Sequence, residues 1–76
     1  MASDSMGTDI TADIPGMILK VKVKPGDEIK PGDILFVMEA MKMEMEIPSP
    51  DGGRISQVHV KENDVVQAGQ VLASLN

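Results

Sequence analysis

Apolar residues recur along the chain in short runs, and glycine or proline interrupts most of these runs. The breaks at Pro15-Gly16, Pro25-Gly26 and Pro31-Gly32 leave no interval in the first half that holds a helix of about ten residues. The intervals have the length of strands, so the pattern predicts an all-β protein. Strands are expected near 10–13, 17–23, 28–30, 34–40, 43–48, 54–60, 65–67 and 71–75.

The second half of the chain repeats the first. Without a gap, 16–38 aligns with 53–75, so each residue matches the one 37 positions later. The identical pairs include Gly16/Gly53, Ile18/Ile55, Val21/Val58, Val23/Val60, Lys24/Lys61, Asp27/Asp64, Gly32/Gly69 and Leu35/Leu72. Each half is too small to bury its own apolar face, so the two halves are expected to pack on each other.

Two details of the repeat predict local backbone structure. Gly26 aligns with Asn63, and these residue types best tolerate a positive φ, so both halves are expected to make the same left-handed turn. Apolar residues at Ile18, Val21 and Val23 alternate by two only after a step of three, and the second half repeats this spacing. We therefore expect a β-bulge or bend at the same place in both halves.

The segment 36–47 joins the two halves and is predicted to form a hairpin with a two-residue turn at Met41-Lys42. Its apolar face would hold Ala40 opposite Met43, Met38 opposite Met45 and Phe36 opposite Ile47, with Glu39/Glu44 and Val37/Glu46 on the other face. A turn at Ala40-Met41 gives a comparably apolar face and remains an alternative from the sequence. Either turn leaves Lys42 at the tip.

The residues of this turn break a local rule. Tight hairpin turns favour Asn-Gly or Asp-Gly because both positions can require a positive φ, which Met-Lys adopts with strain. Such breaches tend to mark functional positions, so a partner is expected to recognise the tip. Met38, Met45 and Met43 are interpreted as core filler, and Met41 is interpreted as a partner contact.

Composition excludes several classes of function. A chain of 76 residues holds one small core, so a catalytic cleft of its own is not expected. There is no cysteine, His59 is the single histidine, and Asp27, Asp33 and Asp64 have the context of turn residues. The sequence therefore predicts neither catalytic residues nor a metal site.

Charge and hydropathy limit the partners and the location. The formal net charge of −5 argues against nucleic acid, and no apolar run is long enough for membrane insertion. The small polar residues of 1–9 are interpreted as a disordered linker or expression scar, with the domain occupying 10–76. The start lacks the pattern of a signal peptide, which predicts a cytoplasmic protein.

The segment Glu39-Ala40-Met41-Lys42-Met43-Glu44, midway between two β repeats, resembles the biotin attachment motif of biotin-dependent carboxylases, decarboxylases and transcarboxylases. The resemblance covers 10–75. It implies a flattened barrel-sandwich hybrid of two four-stranded antiparallel sheets with internal quasi-twofold symmetry and the lysine on a hairpin at one end. The entry Asp13-Ile14-Pro15-Gly16 departs from the usual Pro-Met-Pro-Gly, and the thumb of some bacterial carboxylase subunits is absent.

The resemblance also implies a function. Lys42 would receive covalent biotin from a biotin protein ligase, with Met41, Met43, Ala40 and Glu39 forming the recognition surface. The domain would then be a carrier and not an enzyme. Its swinging arm would shuttle carboxybiotin between a biotin carboxylase or decarboxylase site and a carboxyltransferase site, including in a membrane-associated decarboxylase complex.

Two other functions stay open from the sequence. Lipoyl domains share this fold but usually show Asp-Lys-Ala at the tip, whereas Met41-Lys42-Met43 favours biotin. An unmodified β module that uses the apolar tip for docking is the other alternative. The missing thumb points towards the decarboxylase, transcarboxylase or pyruvate carboxylase type of carrier.

Overall fold

A computed structural model describes residues 8–76, and within this range every regular element is a strand. The strands are β1 (Thr8–Thr11), β2 (Gly16–Val21), β3 (Glu28–Ile29), β4 (Ile34–Ala40), β5 (Met43–Pro48), β6 (Gly53–Val58), β7 (Val65–Val66) and β8 (Val71–Leu75). All eight predicted strands are present, and the bounds of β4, β5 and β8 are those predicted. Within 8–76 there is no helix that could span a membrane.

The first strand begins earlier than the sequence suggested. Thr8 pairs with Leu75 and Asp9 pairs with Ser74, so both residues belong to the sheet, although the predicted linker extended to Asp9. The polar side chains at these two positions gave no apolar alternation, so the sequence placed the start of the strand two residues late. The remainder of the predicted linker, 1–7, lies outside the described residues.

The strands form a sandwich of two four-stranded antiparallel sheets, as predicted. One sheet has the order β1-β8-β6-β3 and the other has the order β5-β4-β2-β7, and the two remain separate sheets without closing into a barrel. Strands that are equivalent in the repeat occupy equivalent positions in the two sheets: β1, β8, β6 and β3 correspond to β5, β4, β2 and β7. The halves also exchange strands, since β3 pairs with β6 and β7 pairs with β2.

The sequence repeat is reproduced in the backbone. The register of β2 shifts between Ile18 and Lys20, and that of β6 shifts between Ile55 and Gln57, which confirms the predicted pair of bulges. The core lies between the sheets. Its fully buried large side chains are Phe36, Ile18, Leu35, Met38, Ile55, Leu72 and Val66.

Turns with a common side-chain hydrogen bond connect the strands. Asp27 Oδ2 accepts a hydrogen bond from the backbone N of Lys24 at 3.0 Å, and Asp64 Oδ2 accepts one from Lys61 at 2.9 Å. Gly26 and Asn63 both have positive φ, 96° and 76°, as the alignment predicted. The aspartates therefore stabilise turns, which is the role that sequence analysis gave them.

The Asn63 turn yields a stability prediction. Asn63→Ala is expected to lower the free energy of unfolding by about 1 kcal/mol, because a Cβ without a local hydrogen-bonding group is disfavoured in the left-handed region. Asn63→Gly removes that penalty and is expected to leave stability within about 0.5 kcal/mol of the wild type. Urea unfolding of both variants measures the difference, and equal stabilities would contradict the backbone explanation.

Candidate functional site

The hairpin of β4 and β5 has the predicted register. Ala40 pairs with Met43, Glu39 with Glu44 and Met38 with Met45. This register places the two-residue turn at Met41-Lys42 and excludes the alternative turn at Ala40-Met41. The chain therefore reverses at the lysine itself.

The turn holds two residues with side chains in the left-handed region. Met41 has φ 54° and Lys42 has φ 65°, the combination that defines a type I′ turn together with the tight strand pairing. Such a conformation is disfavoured by about 1–2 kcal/mol for each residue that carries a Cβ. The ladder between β4 and β5 overcomes this penalty, so the turn is strained and held firmly.

Lys42 is exposed and has no ionic partner among the described residues. The one ion pair found in 8–76 joins Lys24 Nζ to Asp27 Oδ1 at 3.3 Å, in a different turn. Lys42 is also the sole Lys or Arg of the hairpin, where the carboxylates of Glu39, Glu44 and Glu46 are exposed around it. The amine is therefore accessible to a second protein, and the other charged residues of the hairpin itself are acidic.

The methionines of the hairpin differ sharply in exposure. Met41 is 85% exposed and Met43 is 65% exposed, whereas Met38 is 2% exposed. The interpretation of Met43 and Met45 as core filler was wrong, since Met45 is also 38% exposed. The reason is topological: β5 is the edge of its sheet and, among the described strands, packs extensively against β4 alone.

Ala40 lies under the turn and not on its surface. It is 4% exposed, and a Cβ built on Gly16 of β2 would come within 3.2 Å of its methyl group. The same Cβ would clash with the backbone oxygen of Glu39. Small residues at Ala40 and Gly16 thus let β2 approach the last residues of β4 and fix the base of the hairpin.

A polar contact far from the hairpin was not anticipated from sequence. His59 is exposed, as expected, but its Nε2 lies 3.2 Å from Ser74 Oγ, which donates to Asp9 Oδ1 at 3.2 Å. These residues occupy or adjoin neighbouring strands of one sheet, so the contact follows from strand order, which single-sequence patterns do not reveal. It ties β1 to the sheet at a distance in sequence of 65 residues.

Fold and site together define a small β-sandwich that presents one exposed lysine at the turn of a hairpin. The family model described as "Biotin-requiring enzyme" matches residues 1–75, and the chain belongs to this family. A biotin carrier domain of this kind brings a cofactor to enzymes and is not itself catalytic.

Two relatives differ in how much of their length the chain covers. It is 39% identical over 71 residues to the "Biotinylated protein TB7.3 homolog" of Mycobacterium leprae, which covers 93% of this chain and 100% of that protein. It is 41% identical over 66 residues to the pyruvate carboxylase of Bacillus subtilis, where the match covers 87% of this chain. The chain spans only 6% of that carboxylase.

A solved lipoyl domain has the same fold. The lipoyl domain of the 2-oxoglutarate dehydrogenase complex from Azotobacter vinelandii superposes with a TM-score of 0.71 and 27% identity. The superposition covers 82% of this chain and 78% of that domain. The fold is therefore shared with this lipoyl domain.

Proposed function

We propose that Lys42 is the residue to which biotin is attached, and that the domain carries it between the active sites of a biotin-dependent carboxylase, decarboxylase or transcarboxylase. The observation that carries the proposal is the position of Lys42. It is the single cation of the hairpin, exposed at a strained turn between the two symmetric halves. Bound biotin supplies the chemistry of accepting and donating a carboxyl group.

The residues around Lys42 are proposed to act in two ways. Met41 and Met43 offer apolar surface on both sides of the amine, and Glu39 adds negative charge, so these three would contact a biotin protein ligase. Ala40 is buried, so it would act by positioning the turn against Gly16.

Attachment requires a nucleophilic amine. A free lysine is mostly protonated at neutral pH, so Nζ must lose a proton before it attacks an activated acyl group. The N–C bond of the amide then forms as the bond to the activating group breaks. The hairpin contains no histidine, and its other ionisable groups are carboxylates, which are weak bases. The ligase is therefore proposed to supply the base.

Biotin is favoured over lipoate by the tip itself. Lipoyl domains usually have Asp-Lys-Ala, whereas this hairpin displays the thioethers of Met41 and Met43 beside Lys42.

Delivery to two active sites relies on tethering, which raises the local concentration of the bound group near each site. We propose a biotin carboxylase and a carboxyltransferase as these partners, and the cytoplasm as the compartment.

The test is a mass measurement on the intact domain. After incubation with biotin, ATP and a biotin protein ligase, the mass is expected to rise by one biotinyl group, and peptide fragmentation is expected to place it on Lys42. A parallel reaction with lipoate and a lipoate ligase is expected to leave the mass unchanged. A mass increase with lipoate but not with biotin would establish a lipoate carrier. No mass increase in either reaction would support an unmodified docking module.

The strained turn makes an opposed pair of predictions. Met41→Asn is expected to raise the free energy of unfolding by up to about 1 kcal/mol, because Asn adopts positive φ more readily and the exposed Met side chain contributes little packing. The same change is expected to slow modification of Lys42 by removing recognition surface. Urea unfolding and a mass-detected time course measure the two effects.

Met43→Asn is the matched control for Met41→Asn. Position 43 lies in β5 and not in the turn, so the same residue there is expected to lower stability modestly because Asn is disfavoured in strands. A stabilising effect at both positions, or at neither, would contradict the explanation from turn strain.

A further inference from the structure

Two exposed methionines, Met41 and Met43, flank Lys42 directly in the chain. Met41 is 85% exposed, Met43 is 65% exposed and Met45 is 38% exposed, while Met38 lies in the core at 2%. Oxidation of methionine to its sulfoxide depends on access of the oxidant and is reversed by dedicated reductases. The hairpin therefore offers an oxidant two sulfurs that immediately flank the attachment lysine.

We propose that Met41 and Met43 form a reversible oxidation site whose sulfoxides prevent the modification of Lys42. This inference rests on the proposed function, because the effect of oxidation is measured as the rate of modification of Lys42. A protein that closes over Lys42 Nζ must also cover the residues on either side of it. The oxidation state of these two side chains thus determines whether the covered surface is apolar or polar.

The reaction with hydrogen peroxide is a two-electron oxidation of sulfur. The thioether sulfur attacks one peroxide oxygen, the S–O bond forms, the O–O bond breaks, and proton transfer to the departing oxygen releases water. Methionine sulfoxide reductases reverse the change, with a dithiol reductant that becomes a disulfide as the sulfoxide oxygen leaves in water. Both reactants are small or act on exposed side chains, so neither step requires the sandwich to open.

Exposure also explains why the fold would survive the change. Met41 and Met43 project beyond the core, and β5 is an edge strand, so a sulfoxide oxygen at either residue stays hydrated. A sulfoxide on Met38 would instead place a polar group among the buried residues. Oxidation at the tip is therefore expected to leave the stability of the fold unchanged. It is expected to weaken recognition, because a partner that buries the new oxygens without offering them hydrogen bonds meets a desolvation penalty.

The first measurement is the order of oxidation in the folded protein. Peroxide treatment followed by peptide fragmentation is expected to modify Met41 and Met43 first, then Met45, with Met38 slower by about tenfold or more. The thermal midpoint of the tip-oxidised protein is expected to match that of the untreated protein. Oxidation of Met38 at the same rate as Met41 would overturn the proposal.

The second measurement is the rate at which a biotin protein ligase modifies Lys42 before and after peroxide. Tip oxidation is expected to slow this rate by about tenfold or more, since partner contacts would desolvate the sulfoxide oxygens. Treatment with both methionine sulfoxide reductases and dithiothreitol is expected to restore it. An unchanged rate, or a loss that the reductases fail to reverse, would overturn the proposal.

A double substitution isolates the two sulfurs. Met41→Leu with Met43→Leu keeps apolar side chains that peroxide cannot oxidise, and each protein is compared with its own untreated sample. The ratio of treated to untreated rates is expected to be about one for the double variant and about one tenth for the wild type. A fall in the double variant would overturn the proposal. Failure of the proposed function is distinguishable, because untreated protein would then remain unmodified, and the inference would fall with it.

Discussion

Lys42→Arg is expected to abolish biotin attachment completely and to leave the free energy of unfolding within about 0.5 kcal/mol of the wild type. Arginine keeps the charge and the approximate length, but its guanidinium does not deprotonate in proteins and cannot form the amide. Lys42 makes no ion pair within 8–76 and is exposed, so the folded state loses no ion pair in the exchange. Intact mass after the ligase reaction, together with urea unfolding, measures both outcomes.

Lys30→Arg provides a matched control for Lys42→Arg. Lys30 is also exposed and begins a turn, in which its backbone N donates to Asp33 Oδ2 at 2.8 Å, but it lies outside the hairpin. This variant is expected to gain one biotinyl group at the wild-type rate. A full mass increase in Lys42→Arg, or a loss in Lys30→Arg, would show that the ligase selects something other than the lysine of the hairpin turn.

The repeat explains why so much of this fold was predictable from one sequence. An internal comparison replaces part of the information that an alignment of relatives provides, because each position is seen twice in equivalent surroundings. Gly26 with Asn63 revealed a positive φ, and the shared spacing of Ile18 and Ile55 revealed the bulges. Alternation predicted the hairpin but left its register open between turns at Met41-Lys42 and Ala40-Met41, and the strand pairing of the structure selects Met41-Lys42.

The wrong predictions concern the two edge strands, β1 and β5, where strand pairing or the absence of a covering layer decides the outcome. Met43 and Met45 alternate like core residues, yet the opposite sheet does not cover their part of β5. Thr8 ends a small polar stretch that shows no apolar alternation, and it joins the sheet by pairing with Leu75. Periodicity reports which face a side chain lies on, but it does not report whether another layer covers that face.

The hairpin combines strain with firm support, and this combination suits a carrier. A lysine on a flexible loop would sample many orientations, and a partner would have to order the loop on binding. Here the ladder of β4 and β5 and the close approach at Gly16 fix the backbone before any partner arrives. Mobility is left to the lysine side chain and the group it would carry, so the backbone need not reorder on binding.

Phe36→Ala is expected to produce the largest loss of stability, about 3–5 kcal/mol, which is a major share of what a domain of this size possesses. Phe36 is the single aromatic residue, is fully buried in the middle of β4, and pairs with Val21 on one side and Ile47 on the other. Urea unfolding measures the change. The exposed residue Val65 supplies the control, since Val65→Ala is expected to cost less than about 0.5 kcal/mol.

The repeat turns this prediction into a test of how the core is shared. The equivalent of Phe36 is Ala73, also fully buried, whose paired residues Ile10 and Val58 are equivalents of Ile47 and Val21. Ala73→Phe alone is expected to overpack the core and lower stability by about 1–3 kcal/mol. Combining it with Phe36→Ala conserves the side-chain volume between the sheets. The double variant is therefore expected to lose less stability than the two single variants lose in sum, by about 1 kcal/mol or more. A loss equal to that sum would show that the two side chains fill separate parts of the core.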